Sequence, residues 1–430
     1  MQDIDTSLGM ASKQGAATGT GELALPGPRG AVLPTDRWLV RLLLKMLGNP
    51  PVQVTLWNGE RVSTSEAPPI AEVSMQTRGA LLRVAANPSL YFGDEYSAGR
   101  IEVKGNLVGF LETVYRATRD VIPFGSLGRQ VWHWLNRPRA NTLSGSRKNI
   151  HQHYDIGNDF YQLWLDKELV YTCAYFPDPS LTLEQAQVAK MDHVCRKLQL
   201  KPDERVVEAG CGWGSLALHM VRHYGVKVRS FNISHQQILY ARERAHVEGL
   251  AHRVEFVEDD YRNISGQYDA FVSVGMLEHV GKSHYEELGE VIHRSLAPTG
   301  RGLIHSIGRN KPSPMNGWIE KRIFPGAHPP SLREMMAIFE PREFSVLDVE
   351  NLRLHYAKTL EHWLARYEQV EDQVAHMFDP NFVQAWRLYL AGSIAAFTQG
   401  SLQLFQIVFA RPTDNQIPWT RAHLYTEDQP

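Results

Sequence analysis

The chain has 430 residues, enough for two domains or for one large domain with an appendage. Hydrophobic residues at 43% and charged residues at 21% supply an ordinary globular core, and 45 basic against 47 acidic side chains argue against a dedicated nucleic-acid binder. Three cysteines, Cys173, Cys195 and Cys211, form no Cys-x-x-Cys pair, so neither a disulfide framework nor a zinc site is expected and a reducing cytoplasm fits best. The N-terminus lacks the charged-then-apolar pattern of a signal peptide, and no apolar run nears the ~20 residues of a spanning helix. Residues 1–34 are rich in Gly, Ala, Thr and Pro and read as a disordered tail. Residues 35–120 read as a small α+β domain. Trp38–Leu47 is a helix with Arg41 and Lys45 on one face, docked on its own domain or touching a membrane. Val52–Trp57 alternates as a strand, Asn58-Gly59 signals a hairpin and Arg61-Val62 starts the return. Ala71–Met75 is a third strand and Gly79–Ala86 a helix.

Residues 121–149 read as a helix and a basic linker. Arg137, Arg139, Arg147 and Lys148 either face solvent or meet anionic lipid. From 150 to 411 strands and helices alternate. Strands are expected at Val206–Glu208, Val226–Phe231, Val254–Val257, Ala270–Val274, Gly302–Ser306, Val346–Leu352 and Leu404–Phe409. That pattern predicts a mainly parallel sheet covered on both faces, with a ligand at the carboxyl ends of its strands. Two insertions, Lys311–Pro330 and the helical stretch Tyr356–Phe397, are placed to shape a substrate pocket. Residues 412–430 form a C-terminal tail.

The first of these strands runs into Glu208-Ala209-Gly210-Cys211-Gly212-Trp213-Gly214, with a helix from Ser215. Glycines at alternate positions let the backbone approach a ligand closely, and the helix start offers unpaired N–H groups. A dinucleotide turn would place its third glycine one residue later, and Glu208 would repel a pyrophosphate. A carboxylate beside such a turn suits a cationic ligand such as S-adenosylmethionine. Four further polar residues fall at strand ends over the same sheet: Cys173, Glu278 (followed by a fifth, His279), His305 and Tyr356. A lone cysteine or strand histidine is usually core, but four beside a cofactor turn point to a site.

The segments His153–Phe160, Tyr171–Phe176, Glu208–Gly214, Val274–Gly281 and Ile323–Gly326 resemble the cyclopropane-fatty-acyl-phospholipid synthases and the related mycolic acid cyclopropane synthases. Phe92–Tyr96 and Gly99 carry a looser likeness to that family's N-terminal lipid-binding domain. The resemblance implies a seven-stranded Rossmann-like, S-adenosylmethionine-dependent methyltransferase domain preceded by a small α+β lipid-binding domain. It implies methylene transfer to the cis double bond of a phospholipid acyl chain, through a carbocation deprotonated by bound bicarbonate. Positions matching Cys173, Glu278, His305, Tyr356 and the backbone of Ile307 would hold that anion. Tyr154, Tyr171, Thr172, Gly210, Gly212 and Gln237 would surround the cofactor, joined by Glu208 and Gly214 of the turn and by Asn232, a departure from the family's threonine. Asp260 and Tyr261 would meet the adenine. Partners implied are an unsaturated phospholipid and an anionic membrane surface contacted peripherally from the cytoplasm, with a homodimer left open. The alternatives are a fatty-acid C-methyltransferase giving a methyl-branched product, and an inactive lipid-binding protein.

Overall fold

The computed structural model describes residues 30–120 and 156–425. The basic linker, Tyr154 and most of the expected N-terminal tail lie outside them. The small domain starts earlier than expected. Val32 is buried, Trp57 Nε1 donates to Gly30 O at 2.8 Å, and helix α1 (Pro34–Met46) begins at Pro34. Strands β1 (Val52–Thr55), β2 (Arg61–Val62), β3 (Ala71–Met75) and β4 (Ile101–Gly105) form one sheet in the order β2-β1-β3-β4. The Asn58-Gly59 hairpin pairs Val54 with Val62, and Asn58 Oδ1 accepts from Glu60 N inside the turn. Alternate residues Val52, Val54, Ala71, Val73 and Met75 point into the core. Helices α2 (Arg78–Ala86), α3 (Pro88–Ser97) and α4 (Leu107–Asp120) complete the domain.

The large domain opens with α5 (Asn158–Gln162) and α6 (Leu183–Lys197), the latter started by a reciprocal cap between Thr182 and Gln185. Then come β5 (Arg205–Ala209), α7 (Ser215–Tyr224), β6 (Lys227–Asn232), α8 (His235–Val247), β7 (Val254–Glu258), β8 (Tyr268–Val274), α9 (Leu277–Val280), α10 (Tyr285–Ser295) and β9 (Leu296–Gly308). Helix α11 (Leu332–Phe339), β10 (Ser345–Asn351), α12 (Arg353–Glu368), α13 (Glu371–Met377), α14 (Pro380–Thr398) and β11 (Gln403–Ala410) close the fold. The seven strands run β10-β11-β9-β8-β5-β6-β7. Pairings among β5 to β9 are parallel, whereas β11 is antiparallel to both of its neighbours. The helical insertion explains the reversal. It ends at Thr398 beside the carboxyl end of β9, where Gln403 pairs with Gly308, so the chain can re-enter the sheet only by running back.

The strand order reverses around β5, which has β6 on one side and β8 on the other. That switch point leaves a crevice at the carboxyl ends of β5 and β8. Separate apolar cores cover the two faces, one centred on Val206, Leu218 and Ile238, the other on Val207, Phe271 and Ile292. A third core runs without a break from Val54 and Phe110 of the small domain to Tyr356, Trp363 and Trp386 of α12 and α14.

The joint between the domains is specific. Gly93 lies flat against the Trp318 ring, where an added Cβ would stand 2.4 Å from Cγ. Arg322 grips Asp94 with two bonds of 3.0 and 3.1 Å, and Gly317 N donates to Ser89 Oγ at 3.0 Å. On the other side Thr398 Oγ1 donates to Glu112 at 2.6 Å.

Candidate active site

The Glu208–Gly214 turn follows β5 as the sequence predicts. Gly210 and Gly212 take φ of +85° and +52°, a region that costs other residues roughly 1–2 kcal/mol. Their surroundings differ from that of Gly214. A Cβ on Gly212 would meet nothing within 4 Å, because it faces open space, whereas a Cβ on Gly214 would stand 2.7 Å from Phe256 and 2.8 Å from Ala241. Gly212 therefore lines the site, and Gly214 serves the packing of α7 against α8 and β7. Asn232 Nδ2 spans the turn, donating to Gly212 O at 3.3 Å and to Gln237 Oε1 at 2.8 Å. Glu208 is buried with Ser230 Oγ donating to it at 2.7 Å, and burial pushes its carboxyl up to about 7.

Opposite the turn, the segment 169–176 runs as irregular backbone without joining a sheet. Polar side chains of α6 and α12 satisfy its backbone in place of a neighbouring strand. Gln187 Nε2 donates to the carbonyls of Val170 and Thr172, Thr359 Oγ1 accepts from Ala174 N, and His355 Nδ1 accepts from Phe176 N. Tyr171 packs in an aromatic wall with Tyr161, Trp164 and Trp363 and shares a 2.9 Å hydrogen bond with the Tyr389 hydroxyl.

After β8 the chain turns through Gly275 into α9, which carries Glu278. Its Oε1 accepts from Ile307 N at 2.5 Å, while Oε2 is buried with no partner among the described residues. Burial pushes this carboxyl up to about 7 and holds neighbouring His279 down at about 4, so that imidazole stays neutral. His305, inside β9, is likewise pushed well down by burial. Gln406 Nε2 lies 3.1 Å from its Nδ1, which leaves the ring proton on Nε2, itself without a partner among the described residues.

One cavity of about 1720 Å³ joins these features. Tyr171, Thr172, Glu208, Gly210, Gly212, Asn232, Gln237, Glu278, Ile307 and Tyr356 all line it. So do Trp213, Lys190 and Tyr389, which the sequence reading missed. Lys190 had a legible signal, since with Gln187 it puts polar residues three apart on the apolar side of α6. The cavity continues past Trp318 and Phe92 into the small domain, where Leu39 and Leu43 of α1 and Phe110 and Leu111 of α4 line it. Small-molecule sites usually occupy about 300–1,000 Å³. The excess and its apolar lining suit a long chain held beside a cofactor.

Besides Gly214, four expected residues fall elsewhere. Cys173 is buried off the cavity with its thiol donating to Ala174 O at 3.1 Å, and burial pushes it far from ionising. His305 sits behind the cavity wall within the sheet. Asp260 is engaged with Arg262 at 3.1 Å, whose guanidinium also lies over the Tyr261 ring, so neither Asp260 nor Tyr261 opens onto the cavity. Ile307 reaches it, but its N–H is already taken by Glu278. Among the described residues no group of three or more His, Cys, Asp or Glu could hold a metal ion.

A switch-point crevice in a seven-stranded sheet, a glycine turn open to a cavity and a buried carboxylate beside it define a Rossmann-like, S-adenosylmethionine-dependent methyltransferase. The family model described as mycolic acid cyclopropane synthetase matches residues 142–407, and a second model, a domain of unknown function, matches residues 39–123. The chain belongs to the mycolic acid cyclopropane synthetase family. It is 33% identical over 387 residues to a probable fatty acid methyltransferase of Pseudomonas putida, covering 87% of this chain and 96% of that one. It is 34% identical over 352 residues to the cyclopropane-fatty-acyl-phospholipid synthase of Escherichia coli K12, covering 80% and 89%. A mycolic acid cyclopropane synthase crystallised with SAH and CTAB superposes with a TM-score of 0.59 at 28% identity, covering 62% of this chain and 98% of that one.

Proposed function

We propose that this enzyme transfers a methylene from S-adenosylmethionine to the cis double bond of unsaturated phospholipid acyl chains and so makes cyclopropane fatty acids. The observation that carries the reading is the single cavity running from the glycine turn and Glu278 into the apolar interior of the small domain. Glycines 210 and 212 with Glu208, Asn232, Gln237, Tyr171 and Thr172 would hold the cofactor, which supplies the methyl group. An alkene is a weak nucleophile, so the residues around it must exclude water and fix its approach. The apolar lining and the small domain packed over it do both. Tyr171, Tyr356 and Tyr389 line the same cavity and present aromatic rings to a developing carbocation.

Glu278 Oε2 and His305 Nε2 are buried polar atoms with no partner among the described residues, and they fit a small oxyanion that carries a proton for Glu278 and takes one from His305. Bicarbonate is such a group, and when bound it would supply the proton acceptor that completes ring closure. Glu278 and Tyr356 line the cavity where it would sit, and His305 would meet it from behind that wall. Ile307 orients Glu278 through its N–H, and Cys173 packs behind.

Among the described residues no helix is long and apolar enough to cross a membrane. Helix α1 instead exposes Trp38, Leu42 and Met46 in one stripe beside Arg41 and Lys45, and Leu42 and Met46 also line the cavity together with Leu39, Val40, Leu43 and Leu44. It suits contact with an anionic membrane surface and entry of the acyl chain from there.

A second reading has a specific ground in the Pseudomonas relative's name: the cation could take a hydride from a separate reduced cofactor instead of closing, giving a methyl-branched acid. Mass spectrometry of total fatty acids from a host expressing the chain separates the two. Gain of one methylene with loss of the alkene and a ring in the product supports the first. A branched acid supports the second, and an unchanged profile contradicts both.

A further inference from the structure

Lys190 is not used by the reaction as drawn above, yet it lines the cavity at its cofactor end with only 2% of its surface exposed. Lining cations Arg309 and Lys311 belong to the far, insertion side, with Arg309 donating to the carbonyls of Ser313 and Pro314. The Lys190 ammonium donates to Thr172 Oγ1 at 3.1 Å and makes no ion pair within 4.0 Å among the described residues. It feels Asp166, Cys173 and Glu208 at longer range. Each of those is engaged elsewhere: Asp166 accepts from the N–H groups of Glu168 and Val170, Cys173 donates to Ala174 O, and Glu208 accepts from Ser230. An ammonium has three donors and here one is used. Burial lowers its pKa only to about 8, which keeps it largely charged near neutrality.

S-adenosylmethionine ends in an α-amino acid, with an ammonium and a carboxylate on one carbon. The cofactor end of the cavity carries a matching pair, the Glu208 carboxylate and the Lys190 ammonium. We propose that Lys190 and the Thr172 hydroxyl bind the carboxylate of the cofactor's amino-acid end, with Glu208 answering its ammonium. The inference rests on the cofactor reading above and adds to it the group that recognises the carboxylate. Thr172 is set for that task. Its hydroxyl accepts from Lys190 and so keeps its own proton to donate. Its methyl lies against Gly275, where an added Cβ would stand 2.9 Å from Cγ2.

Calorimetry of Lys190→Met and the wild type, each with S-adenosylmethionine and with its decarboxylated analogue, tests this. Loss of a charge-assisted hydrogen bond in a dry site should weaken S-adenosylmethionine binding by about tenfold or more. The decarboxylated analogue should bind variant and wild type within about twofold. Equal losses on both ligands would make Lys190 a structural ammonium and overturn the proposal, as would no loss on either. Failure of the wild type to bind S-adenosylmethionine would instead overturn the cofactor reading itself. Thr172→Val, which leaves the lysine in place, carries the same expectation and the same refutation if Lys190→Met does not fold.

Discussion

At the residue scale two glycines of one turn have different duties. Gly212 faces the cavity, so Gly212→Val should fold, with a modest loss from its φ of +52°, and lose S-adenosylmethionine binding in calorimetry. Gly214 faces Phe256 and Ala241, so Gly214→Ala should lower the melting temperature through overpacking of about 1–3 kcal/mol. Wild-type affinity in the first variant would show that the site is misplaced. Glu278 has a pH signature. Its folded pKa of about 7 exceeds the ordinary 4.5, so its ionised form is penalised in the folded state. That penalty is absent below about pH 4.5, grows as pH rises and is complete above pH 7. The shift corresponds to about 3 kcal/mol. Glu278→Gln should therefore melt higher than wild type at pH 8, match it near pH 4, keep S-adenosylmethionine affinity and lose most turnover. A variant that melts lower at pH 8 would show that the carboxylate stabilises the fold. The residues that sequence reading placed best sit at strand ends, where chain order dictates position. Asp260 and Tyr261 also follow a strand, yet a local ion pair with Arg262 turned them away, and no periodicity reports that.

At the element scale, every strand of the seven-stranded sheet was legible from apolar runs bounded by turn residues, whereas Ile101–Gly105 of the small sheet was missed. The direction of β11 was not, because a strand buried on both faces reads the same either way. The irregular segment 169–176 was legible as chemistry but not as structure, since two of its partners, Thr359 and His355, lie 185 and 179 residues away. The same holds for the joint between the domains, where Gly93 in α3 makes room for Trp318 of the insertion. Alanine favours a helix interior over glycine by about 1 kcal/mol. Gly93→Ala should thus help α3 alone but force Trp318 off the joint. Turnover on lipid vesicles should fall by on the order of tenfold or more while S-adenosylmethionine binding holds. Unchanged turnover would mean that the joint plays no part in positioning the chain.

At the scale of the whole molecule, two domains share one cavity and one apolar core, which makes the small domain a wall of the candidate site. Its exposed α1 stripe predicts binding to anionic vesicles. Basic residues near such a surface contribute on the order of 1 kcal/mol each and weaken with salt, whereas the apolar stripe does not. Co-sedimentation should decline with salt and fall further in the Trp38→Glu and Leu42→Glu variants. Undiminished binding by those variants would remove α1 from the membrane contact. The most direct test of the whole account uses purified protein, vesicles of a cis-unsaturated phospholipid and S-adenosylmethionine bearing a trideuterated methyl group. Ring closure removes one deuteron from the added carbon, so the account predicts a cyclopropane fatty acid that keeps two. A ring-free acid that keeps all three, or an alkene left intact, would contradict it.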